Sequence, residues 1–223
     1  MSVRLGAAVA RDLLVGSRYW VVALAGALVV ATRGAVERTS DATGADHTLL
    51  GLTLGLVVPL VCYGLFESVH RRRSTAELLA SLTRHGADRH ALATGALAVL
   101  AVTSMLTTTL LAGLAVLSSA RARPELVADV WAASWGGGLV GLGYAGLLSL
   151  GSRWGRAGRI WLLVLYWLFG MGSGFFAAPW VRGHARNLLG GAAVLDASPL
   201  LAAAALALLG ALGLLLAARR GPS

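Results

Sequence analysis

The sequence predicts an all-α integral membrane protein, on three observations. Of 223 residues, 57% are hydrophobic and only 13% charged, about half the charged share of a soluble domain. Several apolar runs reach the roughly 20 residues that a helix needs to cross a bilayer, and the mean hydropathy is +0.74. The 19 basic residues, all arginine, gather at the ends of those runs and in the connections between them. The expected architecture is a single transmembrane domain over residues 1–223, with six transmembrane helices, both termini cytoplasmic and an amphipathic N-terminal interfacial helix.

Residues 1–18 supply that first helix. Arg4, Arg11 and Arg18 recur every seven residues, close to two helical turns, so they line one face while Leu5, Val9, Leu13 and Val15 cover much of the rest. A basic stripe on an apolar helix suits a helix lying in the interface plane. No removable signal peptide is expected, because no apolar run with a small-residue cleavage site opens the chain. The first span starts at Tyr19 and reaches full length only if it extends to about Val36, with Arg33 snorkelling to the far headgroups. A polar loop follows over 37–48, then a second span over Leu49–Phe66. The polar connection 67–90 comes next and the third span, Ala91–Leu117, after it. Arg121, Arg123, Pro124 and Glu125 read as a turn, Leu126–Leu150 as the fourth span, Gly151–Arg159 as a short basic loop and Ile160–Trp180 as the fifth span. Residues 181–198 are too broken to cross, since Gly190 and Gly191 interrupt their apolar part; they are expected in the outer interface or as a re-entrant dip. Pro199–Ala218 is the sixth span, closed by Arg219 and Arg220.

Counting arginine in the connections sets the orientation. With the N terminus inside, thirteen arginines and four acidic residues fall on the cytoplasmic side, and six of each fall outside. The excess charge then faces anionic lipid headgroups, so membrane lipid is the expected partner and nucleic acid is not implied. A multi-pass place in the cytoplasmic (inner) membrane follows.

Composition and placement exclude much chemistry. Without lysine the chain has no phosphate-binding loop and no lysine Schiff base. The single cysteine, Cys62, leaves no intrachain disulfide and no cysteine metal site. Carboxylates and histidines are all but absent from the spans, with Asp129 a turn into the fourth, which argues against an ion-coupled carrier. Ser173 within Gly170-Met171-Gly172-Ser173-Gly174 has no histidine on a facing span, since His184 lies in the outer loop, so an intramembrane protease is rejected. No catalytic, cofactor-binding or metal-binding residue is expected, and the chain is read as not an enzyme. Small residues four apart mark helix packing: Gly51 with Gly55, Gly137 with Gly141, and Gly170 with Gly174. The fourth span, richest in glycine, belongs at the centre of the bundle or between chains.

The connection Glu67–His90 is the most informative stretch. Ser74 stands three residues before Glu77, the spacing of a capping box, so a helix is expected to start there. Leu78, Leu79 and Leu82 fall on one face and Gly86 follows Arg84 and His85 as a stop. A short helix flanked by Arg71, Arg72, Arg73, Arg84 and Arg89 is a docking surface in outline. The run Arg72-Arg73-Ser74-Thr75-Ala76-Glu77-Leu78-Leu79 resembles the Glu-x-x-Arg-x-x-Gly-Thr-x-Glu-x-Leu pattern that opens the cytoplasmic helix of permease subunits in the type-2 ABC transporter superfamily, the exporter class. Glu67 is similar to the leading glutamate at a different spacing, and Arg84 resembles the arginine after that helix. Ser74 replaces the usual glycine, and the proline common near residue 83 is absent.

The resemblance, which covers the whole chain through its architecture, implies a permease that couples to a separate nucleotide-binding ATPase subunit. It also implies pairing with a second permease, identical or not, and export of a substrate between the two. Glu67, Arg72, Arg73, Glu77, Leu78, Leu79, Leu82 and Arg84 are then the partner-coupling residues. ATP and Mg would be bound in the partner ATPase, and this chain itself would hold no cofactor. The alternative is a non-transporting membrane anchor or assembly subunit whose helix recruits a soluble partner.

Overall fold

A computed structural model describes residues 1–39, 47–120, 125–169, 178–190 and 197–219, and these are helical apart from short turns. Helix α1 spans Ser2–Val15 and α2 Tyr19–Thr39. A π-helical segment, His47–Val57, runs into α3, Val58–His70. The short α4, Thr75–Arg84, precedes the long α5, Arg89–Ser119, and then α6, Leu126–Gly151. A 3₁₀ turn, Ser152–Trp154, leads into α7, Gly155–Phe169, followed by α8, Val181–Leu188, and α9, Pro199–Ala218.

Four helical stretches are long and apolar enough to cross a membrane: Tyr19–Arg38, Thr48–Arg84, Arg89–Ser119 and Pro199–Ala218. The second of these includes α4, but the chain leaves helical geometry between His70 and Thr75, so its apolar run ends near Phe66. Helix α6 has the length, at 26 residues, but glycines, serines and tryptophans lower its hydropathy. The basic segment 151–159, expected as a loop, is instead a 3₁₀ turn and the first turn of α7. Gly155 makes this continuity feasible: its φ of 69° and ψ of −150° suit a residue without a Cβ.

The core is built on α5, which packs against α1, α2 and α6, while α9 packs mainly against α6 and also meets α5. Close backbone approach explains the choice of small residues. A Cβ on Gly137 would stand 2.7 Å from the Thr108 carbonyl oxygen, and one on Gly141 would stand 2.8 Å from that of Ser104. Gly146 meets Gly210 and Gly213 of α9 in the same way, and Gly6 of α1 meets the backbone of α5 at Leu92, beside Gly95. Gly170 and Gly174 lie outside the described residues, as do Arg121, Arg123 and 191–196 of the outer segment.

Hydroxyls stitch the same crossings. Ser104 donates to the Gly141 carbonyl at 2.9 Å and lies 3.1 Å from Cys62 Sγ, joining α3, α5 and α6. The Tyr19 and Thr107 hydroxyls are 2.6 Å apart and link α2 to α5. Thr107 and Thr108 also bond back to carbonyls of their own helix, at 2.8 Å each. In α2, Arg33 and Glu37 pair one turn apart, which neutralises the charge at the end of an otherwise apolar helix. The outward surfaces of α2 are apolar, with Val21, Leu24 and Leu28 all more than half exposed. An apolar surface of that extent needs lipid or protein against it.

Candidate functional site

The site is built around α4, a ten-residue helix, and is read outward from its first turn. Ser74 is extended, at φ −73° and ψ 164°, and its Oγ accepts from the Glu77 N–H at 3.2 Å. Glu77 Oε2 in turn accepts from the Ser74 N–H at 2.7 Å and from the Ser74 hydroxyl at 2.9 Å. Both halves of the capping box are therefore made, so two donors that a helix start leaves free are satisfied. The same backbone N–H, with the hydroxyl behind it, holds the Glu77 carboxyl below the usual carboxylate range.

The entry to α4 is tight. Arg71 and Arg72 take left-handed conformations, with φ of 46° and 71°, which cost a side-chain-bearing residue roughly 1 kcal/mol each. Gly155 lies against this turn: a Cβ there would sit 3.3 Å from the Arg72 carbonyl oxygen. His70, four residues beyond the apolar run that ends at Phe66, supports the turn from inside. Its Nδ1 is 3.0 Å from the Phe66 carbonyl oxygen, which only accepts, so Nδ1 carries the proton; Nε2 then accepts from the Thr75 hydroxyl at 3.2 Å. Burial pushes the imidazole down to about 4, assisted by the charge of Arg159, so His70 is neutral at ordinary pH.

Arg159 of α7 holds the site together. Its side chain is 0% exposed, and its Nη2 donates to Glu67 Oε2 at 2.8 Å. Nη1 donates to the Arg73 carbonyl at 3.2 Å and to Ser152 Oγ at 3.3 Å. Arg156 reaches the other Glu67 oxygen at 3.6 Å. One buried guanidinium thus joins the end of α3, the residue just before the cap of α4 and the start of α7. Sequence reasoning placed Glu67 in the site and treated Arg159 only as a topological charge.

The remaining expected residues divide between two faces of α4. Leu79 is 0% exposed, and Leu78 and Leu82 are partly buried against the core; Thr75 is buried with them. They fix α4 to α5 and to the 3₁₀ turn. The opposite face is exposed and polar, with Glu77, Ser81 and Arg84, and Arg72 and Arg73 are exposed in the turn before the helix. Residues 77, 81 and 84 are spaced by four and three, so they form one stripe on a single face of the helix. Among the described residues no cluster of histidine, cysteine and carboxylate side chains could hold a metal ion.

Comparison with protein-family models, with curated proteins and with solved structures finds no match to this chain.

Proposed function

We propose that this chain is the membrane-spanning permease subunit of an ABC-type transporter of the type-2 superfamily, moving a substrate outward across the cytoplasmic membrane. In this reading six helices cross the membrane, both termini lie in the cytoplasm, two permeases pair, and α4 receives a separate ATPase subunit that binds ATP and Mg. One observation carries it: α4 is a rigidly capped helix outside the apolar runs, anchored on its inner face by Leu79 and wired through Arg159 to α3 and α7. A push on its exposed face therefore passes to two helices of the bundle rather than being absorbed by a loose loop. The docking surface in this reading is the stripe Glu77, Ser81 and Arg84 with Arg72 and Arg73 in the turn before it, and Leu78, Leu79 and Leu82 hold the helix that carries it.

The test is purification of the tagged chain from its native host in mild detergent, followed by an assay for a co-purifying, vanadate-sensitive ATPase. Arg73→Glu with Arg84→Glu is expected to lower the recovered ATPase at least tenfold while leaving the melting temperature of the permease within a few degrees. Arg72→Gly adds a control, since relief of the left-handed strain should stabilise the turn by up to about 1 kcal/mol while removing a charge from the docking face. No co-purifying ATPase, or one retained undiminished in the charge-reversed variant, removes the role assigned to α4. A different soluble partner in its place favours a membrane anchor.

A further inference from the structure

A cleft opens where the first turns of α4 and α5, the turn Ser152–Trp154 and the last turn of α9 converge. Arg89, Arg153 and Arg219 line it, above a floor that includes Leu79, Ala93 and Ala218. No carboxylate lines the cleft. Ion pairs among the described residues include Arg11 with Asp12, Arg33 with Glu37, and Arg156 and Arg159 with Glu67, and none of these involves the three arginines. Asp88, the neighbour of Arg89, spends its carboxylate on the N–H groups of His90 and Ala91 at the start of α5. Three like charges around one hollow repel each other, and the arrangement is favourable when an anion sits between them.

One of the three arginines is also positioned in advance. Arg153 donates through Nη1 to the Leu216 carbonyl at 3.4 Å, and its guanidinium stands 5.8 Å from the centre of the Trp154 ring. One bond leaves most of its donors unspent. Arg219 follows the end of α9, which is tied to α5 by His90 Nδ1 at 2.9 Å from the Ala218 carbonyl oxygen.

Two features select a lipid over a free anion. The cleft lies at the ends of α5 and α9, both apolar enough to cross a membrane, which is the level of the headgroups. Leu216, whose carbonyl holds Arg153, also lines an apolar groove of ≈ 180 Å³ between α6 and α9, together with Leu147, Leu150 and Leu212. Basic pockets between transmembrane helices bind anionic headgroups, and guanidinium matches phosphate geometry. We propose that this cleft binds the phosphate of an anionic phospholipid between Arg89, Arg153 and Arg219, with an acyl chain in the groove between α6 and α9. A zwitterionic headgroup brings an ammonium into the same positive field and is disfavoured. Because Leu79 forms part of the floor, an occupied site braces α4 from beneath. The site stands whether or not α4 docks an ATPase.

The experiment is native mass spectrometry of the full chain, released from detergent micelles doped with phosphatidylglycerol or with phosphatidylcholine of the same acyl chains. The expected result is one retained phosphatidylglycerol per chain, preferred at least tenfold over phosphatidylcholine. Each arginine near an anionic lipid contributes about fivefold, so Arg89→Gln with Arg219→Gln should lower retention about 30-fold. Arg38→Gln with Arg186→Gln, an equal charge change at residues that do not line the cleft, should alter it less than threefold. Arg89→Lys with Arg219→Lys retains most binding and separates loss of charge from loss of fold. Equal loss in both glutamine pairs, or equal retention of the two lipids, overturns the proposal. Displacement of the lipid by inorganic phosphate at matched ionic strength reassigns the cleft to the free anion and also overturns it.

Discussion

Glu67 and Arg159 show how one pair decides the geometry around it. A guanidinium that is 0% exposed keeps its charge only because a carboxylate, a carbonyl and a hydroxyl meet it, and the carboxylate carries the compensating charge. Removing one partner of such a pair costs about 3 kcal/mol or more, since the other charge is left buried without compensation. Replacing both with apolar side chains of similar volume is often near neutral. Glu67→Leu is therefore expected to lower the thermal stability of the purified chain markedly, read by tryptophan fluorescence, and the double variant Glu67→Leu with Arg159→Met should recover most of the loss. Additive losses in the two single variants would mean that the residues act separately, and that Arg159 serves the Arg73 carbonyl rather than Glu67. Glu67 was legible as a polar residue just past the end of an apolar run. Arg159 was not, because its value lies in three partners that come from 67, 73 and 152, and no local pattern brings those together.

At the scale of the element, α4 was the most legible part of the chain. Its start is a local event: Ser74 and Glu77 satisfy each other's backbone within one turn, so the sequence carries the whole signal. Which face turns inward is not local in the same way. Three leucines mark an apolar face, yet whether that face meets a partner or its own bundle depends on what α5 and the turn at Ser152 place opposite. Leu79 is fully buried and Glu77 is exposed, so the two ends of the capping and packing argument can be tested separately. Leu79→Ala should cost about 3 kcal/mol, the usual range for a buried leucine, and raise hydrogen exchange across the whole of α4. Ser74→Ala should cost about 1 kcal/mol, with faster exchange confined to the amides of the first turn. Exchange that rises equally along the helix in both variants would mean that cap and anchor form one cooperative unit. The glycine contacts were partly legible by the same reasoning. Gly137 and Gly141 stand out by their spacing, whereas Gly6 and Gly95 do not, since neither has a second glycine four residues away and the partner of each lies on another helix.

For the whole molecule, the arginine count and the three-dimensional packing are independent, and they can be compared. In a six-span topology the count would put Arg71, Arg72, Arg73, Arg84, Arg89, Arg153, Arg156, Arg159 and Arg219 on one side of a membrane. The fold joins most of these at one end of the bundle: Arg159 bonds the Arg73 carbonyl, and Arg89, Arg153 and Arg219 share a cleft. Four helical stretches have the length and hydropathy to cross, and α6 connects two of the packed layers between them. Glycines make α6 too polar on average for a hydropathy argument, yet they are what allows α5 and α9 to approach it from both sides. If α5 crosses the membrane, Glu125 at the start of α6 must face the opposite side from α4. Single cysteines test this in a Cys62→Ser background, where the buried thiol gives way to a hydroxyl of similar size. Glu125→Cys is exposed at its position and should react with a membrane-impermeant maleimide in intact cells. Ser81→Cys, on the outward face of α4, should react only after the membrane is opened. Reaction of both from the same side would require that α5 does not carry the chain across, and would reduce the bundle to fewer than six spans.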